Sequence, residues 1–204
     1  MMVMRSAVAC LGLLLLLLPA AASQAEEPYP VAGQIYLSFQ PDARVQNLQI
    51  QADTPFDFYL IVDVDLAGGD PYLLAAIEGS LTFSTEIFLS SIEWSGGQWV
   101  AAGVGLAPGS YDFMAAPAGC LELEDGPNAI CAFHGVLLED ASNLFVGVGP
   151  GFASSFGGLG PGWVTCGDLV GYLFEPNGVQ RSLSINGPTA IESSSWAQVK
   201  ALYQ

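Results

Sequence analysis

The stretch Pro55-Phe-Asp-Phe-Tyr-Leu-Ile-Val-Asp-Val-Asp-Leu66 decides the fold class. Its even positions, Phe56, Phe58, Leu60, Val62, Val64 and Leu66, are all apolar. Its odd positions after Pro55 are Asp57, Tyr59, Ile61, Asp63 and Asp65. Side chains of a strand point alternately to its two faces, so this segment has one continuous apolar face and one mostly acidic face. That is the pattern of an antiparallel strand with its apolar face on a core and its other face near water.

The same two-residue beat recurs on both sides. Upstream, Gln34–Gln40 places Ile35, Leu37 and Phe39 in phase, and Val45–Gln51 is a weaker strand. Downstream, Ala67-Gly-Gly-Asp-Pro71 is a turn, and Tyr72–Ala76 reads as a helical turn or bend. Ile77–Ser84 and Ile87–Trp94 alternate again, followed by Gln98–Leu106, Tyr111–Met114, His134–Glu139 and Leu144–Val148. Pro150–Gly162 is a glycine-rich loop, and Trp163–Gly167, Leu169–Phe174 and Val179–Ile185 complete the set. Short strands separated by Gly/Pro turns predict an all-β antiparallel sandwich, spanning residues 26–186. In the last segment, 187–204, Ser193–Ser195 can cap a short amphipathic helix with Trp196, Val199, Leu202 and Tyr203 on one face.

The first 25 residues read as a signal peptide: Arg5, the run Cys10-Leu-Gly-Leu-Leu-Leu-Leu-Leu-Leu18, then small residues ending at Ala25. The run is too short for a bilayer core of ~30 Å, which takes ~20 apolar residues, so no span is expected after cleavage. The expectation is a secreted or periplasmic protein. Twenty acidic residues face four basic ones, a formal net charge of −16, one unit more negative once Arg5 leaves. Such a surface repels phosphate backbones, which argues against nucleic acid as a partner.

Cleavage removes Cys10 and leaves Cys120, Cys131 and Cys166. A two-residue turn at Asp125-Gly126 would fold Cys120 opposite Cys131, within disulfide reach. The rival pairing joins Cys166 to one of the other two.

Pro55–Val64 followed by Ile77-Glu-Gly-Ser-Leu-Thr-Phe-Ser-Thr-Glu-Ile-Phe-Leu-Ser-Ser-Ile92 resembles the cohesin-like β-sandwich, a jelly-roll module of secreted bacterial proteins. The resemblance implies a sandwich fold and a protein partner, since cohesins bind dockerins; the loop at 150–162 departs from the pattern. Fold does not fix function.

Candidate chemistry is sparse. Asp63, Asp65 and Asp70 can converge across Gly68-Gly69 and offer hard oxygen ligands to calcium, although the spacing is not that of an EF-hand. The plain alternative is a solvated acidic face. Trp94 and Trp99 flank Ser95-Gly-Gly-Gln98 and offer ring faces to a sugar, or else cap one end of the core. Phe152 and Phe156, exposed on the glycine-rich loop, and Trp196 on the terminal helix are candidate partner contacts. A hydrolase would need His134, the only histidine, with Ser154 or Ser155, or a pair of carboxylates across a cleft. The segment Gly151-Phe-Ala-Ser-Ser-Phe-Gly157 is not a G-x-S-x-G elbow, so a non-catalytic binding or assembly module with a protein or carbohydrate partner leads. A structural envelope protein is the third reading.

Overall fold

The computed structural model describes residues 29–66, 69, 71–101, 104–151, 154–175 and 182–187. The leader, Asp70, Phe152 and the segment from 188, with Trp196 and the expected helix, lie outside them. In chain order the strands are β1 (Gln34–Ser38), β2 (Asn47–Leu48), β3 (Pro55–Val64), β4 (Tyr72–Phe83), β5 (Ile87–Trp94), β6 (Trp99–Ala101) and β7 (Val104–Ala107), then β8 (Ser110–Pro117), β9 (Leu121–Leu123), β10 (Gly126–Leu137), β11 (Leu144–Gly149), β12 (Gly162–Thr165), β13 (Gly171–Leu173) and β14 (Ser182–Ile185). No helix occurs among the described residues, so none there is long and apolar enough to cross a membrane.

Two sheets share one core. The smaller is antiparallel, in the order β1-β3-β10-β5. The larger has ten strands built around β4. On β4, Leu81 pairs with Tyr111 of β8 and Val148 of β11, while Leu74 pairs with Leu121 of β9 and Thr165 of β12. So β8 and β9 share one edge of β4, and β11 and β12 share the other. Tyr72–Ala76, expected as a helical turn or bend, is the start of this strand. Its backbone groups have partners on both sides, which a lone helical turn could not offer.

The alternation in β3 is realised. Phe56, Phe58, Leu60, Val62 and Val64 are all buried, and Asp57 is exposed on the opposite face. Phe58 stacks on Phe133 of β10 (ring centroids 4.9 Å apart), and Tyr111 of the larger sheet meets Phe133 edge-on at 6.3 Å. Fully burying side chains of this kind stabilises by about 1.5–3 kcal/mol each. Ile61 is the exception, buried on the outward side between Tyr36 and Ala129 in neighbouring strands. Arg44 lies 4.2 Å over the Tyr36 ring.

The cysteine pairing differs from the hairpin expectation. Cys120 is bonded to Cys166, with Cα atoms 6.1 Å apart, and Cys131 is a buried free thiol. Asp125-Gly126 is a corner between the sheets, because β9 belongs to the larger sheet and β10 to the smaller. Asp125 Oδ1 accepts from the Leu66 amide at 2.9 Å, and Asn128 holds both backbone groups of Glu124 and the Gly126 carbonyl, each at 2.8 Å. Gly126 itself sits at φ +92°, a conformation that glycine tolerates. A bulge between Ala129 and Cys131 leaves Ile130 and Cys131 both buried, with Cys131 paired to Leu60 and so turned toward the core. Cys120 and Cys166 end the two strands that flank Leu74, so their bond ties together the two neighbours of β4.

Candidate functional site

Three places on the sandwich gather polar or aromatic side chains. The first is a cleft of about 300 Å³ beside the β1–β3 edge, lined by Gln34, Asp63, Asp65, Tyr72 and Glu175 among others. Gln34 Nε2 donates to Glu175 Oε2 at 3.3 Å. Burial, reinforced by the nearby Asp63 carboxylate and opposed by Arg44, pushes the Tyr36 phenol above its ordinary range. Among the described residues no group of three or more His, Cys, Asp or Glu converges as a metal set. Asp63 and Asp65 do share the cleft, and Glu175 joins them from 110 residues further along, a meeting that strand alternation does not reveal.

Trp94 and Trp99 stack on each other, with centroids 4.8 Å apart and planes inclined by 28°. Trp99 Nε1 donates to the Ser95 carbonyl at 2.5 Å, and Trp94 meets Phe113 edge-on at 5.8 Å. Both rings pack against the core as half-buried side chains. Trp99 thereby gives its indole N–H the partner that such a ring seeks when it packs on a core.

The third place is the outer face of the smaller sheet. His134 on β10 lies between Asp57 on β3 and Ser91 on β5. Its Nδ1 is 2.7 Å from Asp57 Oδ1, while Nε2, 3.7 Å from Glu93 Oε1, has no hydrogen bond among the described residues. One row further along, Tyr59, Ala132 and Glu93 stand side by side; on the other side of His134, Val136 pairs with Phe88, which is 52% exposed. Ser154 and Ser155 are not near this histidine. Ser154 Oγ donates to Glu78 Oε1 at 2.7 Å on the larger sheet, so neither of these two serines pairs with His134.

The glycine-rich loop also differs from expectation. Phe156 is buried, 3% exposed, rather than displayed. Its ring rests on Gly162 and Gly171, where an added Cβ would lie 2.4 Å and 2.9 Å from ring carbons, and Tyr29 meets it edge-on at 4.8 Å. The loop therefore folds back over the outer face of β4, where Ser80 Oγ donates to the Pro150 carbonyl at 2.7 Å.

No protein-family model matches the sequence, and no curated protein matches it. Solved structures do resemble the fold. A cohesin module of a Clostridium perfringens family 33 glycoside hydrolase superposes with a TM-score of 0.54 at 14% identity, over 77% of this chain and 98% of that one. The fold is cohesin-like. A type I cohesin–dockerin complex from Clostridium thermocellum gives 0.52 at 8% identity, over 79% and 97% of the two chains. The sixth cohesin of Acetivibrio cellulolyticus scaffoldin B, in complex with a dockerin, gives 0.52 at 6% identity, over 76% and 99%. The cohesin-like likeness first read from residues 55–92 thus extends over most of the sandwich.

Proposed function

We propose that the chain is an exported, non-catalytic recognition module that binds a protein partner on the outer face of its smaller sheet. The observation that carries this reading is that face itself. Phe88, Ser91, Glu93 and Asp57 are exposed around half-buried Tyr59, His134 and Val136 on three adjacent paired strands. Aromatic anchors within a polar rim are what stable protein interfaces use. On the larger sheet, by contrast, the outward positions Glu78 and Ser80 lie under the chain's own loop. The cohesin-like fold supports the reading, since two of the similar structures are named as cohesins in complex with dockerins. The Cys120–Cys166 bond and the leader-like N-terminus support an oxidising, extracytoplasmic setting.

The test is capture of protein by the immobilised chain, with purified dockerin modules included as probes. Wild type and a Val100→Glu control on the larger sheet should retain the same partner, and Phe88→Glu should lose it. Retention that ignores Phe88→Glu, or no retention by wild type from any extracellular or envelope fraction, would refute the proposal.

A further inference from the structure

Glu78 stands on the outward side of β4, a position where an acidic side chain is ordinarily hydrated, yet it is only 6% exposed. The glycine-rich loop makes the difference. Ser154 Oγ donates to Glu78 Oε1 at 2.7 Å and accepts the Phe156 amide at 3.1 Å, so one hydroxyl holds the carboxylate and sets the ring beside it. Gly162, directly opposite Glu78 on β12, makes room for that ring, as does Gly171. Met114 lies opposite Glu78 on the other edge of β4. Between them remains a cavity of about 110 Å³ whose walls include Ala76, Met114, Ser155, Phe156 and Val164, with Glu78 as its one ionisable group among the described residues.

Glu78 Oε2 has no hydrogen bond and Glu78 no ion pair among the described residues. That free oxygen is reachable from solvent, and a carboxylate set against apolar walls attracts a cation more strongly than one in open water. With Oε1 already accepting from Ser154, a guanidinium would have to share that oxygen to bind in two-pronged fashion, whereas a compact ammonium needs only Oε2. The apolar walls suit an unbranched aliphatic stem behind that charge, and Met114, 40% exposed, can adapt to it. We infer that this cavity is a binding site for a primary ammonium on an unbranched aliphatic chain, presented as the lysine side chain of a polypeptide. Only the polypeptide source of that ammonium rests on the proposed function; the chemistry of the cavity does not.

The test is titration of the purified chain, read at the ε-methyl resonance of Met114. The probes are n-butylammonium and a blocked pentapeptide with a central lysine, alongside the same peptide carrying arginine or norleucine. The lysine peptide and n-butylammonium should give saturable shifts. The norleucine and arginine peptides should bind about tenfold more weakly or worse, the scale expected for one charge-assisted contact. Glu78→Gln, which keeps the shape and the Ser154 bond, should weaken the lysine peptide by a similar factor. Ala76→Leu, which narrows the cavity without touching the charge, should also weaken it, and Phe88→Glu on the opposite sheet should leave it unchanged. Equal binding of the norleucine or arginine peptide, or indifference to Glu78→Gln in a folded variant, would overturn the site. Saturation by n-butylammonium with no binding of the lysine peptide would overturn the polypeptide source. Partner capture through Phe88 is read separately, so failure of either proposal leaves the other measurable.

Discussion

Single residues explain several features that the strand pattern leaves open. Burial pushes the Cys131 thiol far above its ordinary range, so it stays neutral and unreactive in the folded chain. In the chain lacking residues 1–25, an alkylating reagent should therefore modify one thiol only after denaturation, and peptide mapping should place the label on Cys131 and the disulfide between Cys120 and Cys166. The linkage has a definite sign. A thiol raised on folding contributes stability that is complete below its unfolded value, near pH 8.5, and lost as the pH rises above it. Unfolding midpoints followed through alkaline pH should thus fall more steeply in wild type than in Cys131→Ala. Gly162 makes a second prediction. A methyl group there meets the Phe156 ring, and such overpacking typically costs about 1–3 kcal/mol. Gly162→Ala should lower stability by that amount in urea unfolding, and Phe156→Leu added to it should restore part of the loss. Nothing in the sequence marks Glu78, since an acid in the polar phase of a strand reads as a hydrated outward position. Its burial is imposed by a loop some 70 residues away and leaves no local mark.

At the scale of elements, alternation was a sound guide to which segments are strands and a poor one to which sheet they join. β3 could be read almost residue by residue, because its neighbours β1 and β10 impose one inward face along its whole length. The β9–β10 hairpin failed because Asp125-Gly126 suits a tight turn and an inter-sheet corner equally, and only long-range pairing with β4 and β3 separates them. The same failure misassigned the disulfide. Removing that bond with Cys120→Ala and Cys166→Ala together should cost about 2–4 kcal/mol in denaturant unfolding, the usual range for a cross-link closing a loop of this size. The turn between β12 and β13 carries a pH signature of its own. Thr165 Oγ1 donates to Asp168 Oδ1 at 2.6 Å and holds that carboxyl below the ordinary range. Its contribution is present above the unfolded carboxylate value and lost as the pH falls through the folded one. Asp168→Asn should accordingly flatten the acid limb of the stability profile, measured by thermal unfolding across pH 2–5, approximately the carboxylate range.

Over the whole molecule, charge and topology set the behaviour. Twenty acidic side chains against four basic ones repel one another across a small sandwich. Raising salt from about 0.01 M to about 1 M shortens the screening length from about 30 Å to about 3 Å. The thermal midpoint should rise over that range, and a fall would mean that attractive pairs dominate the surface. The place of β4 has a kinetic consequence. Its two edges are filled by strands ending at Pro117, Leu123, Gly149 and Thr165, so the larger sheet cannot close until more than eighty residues beyond its central strand have been delivered. A chain threaded outward from its N-terminus would spend that interval with an unfinished sheet, in the slow, milliseconds-to-seconds folding regime of non-local β topologies. A chain exported in that way would stay pliant through the passage and lock only once its far half arrived.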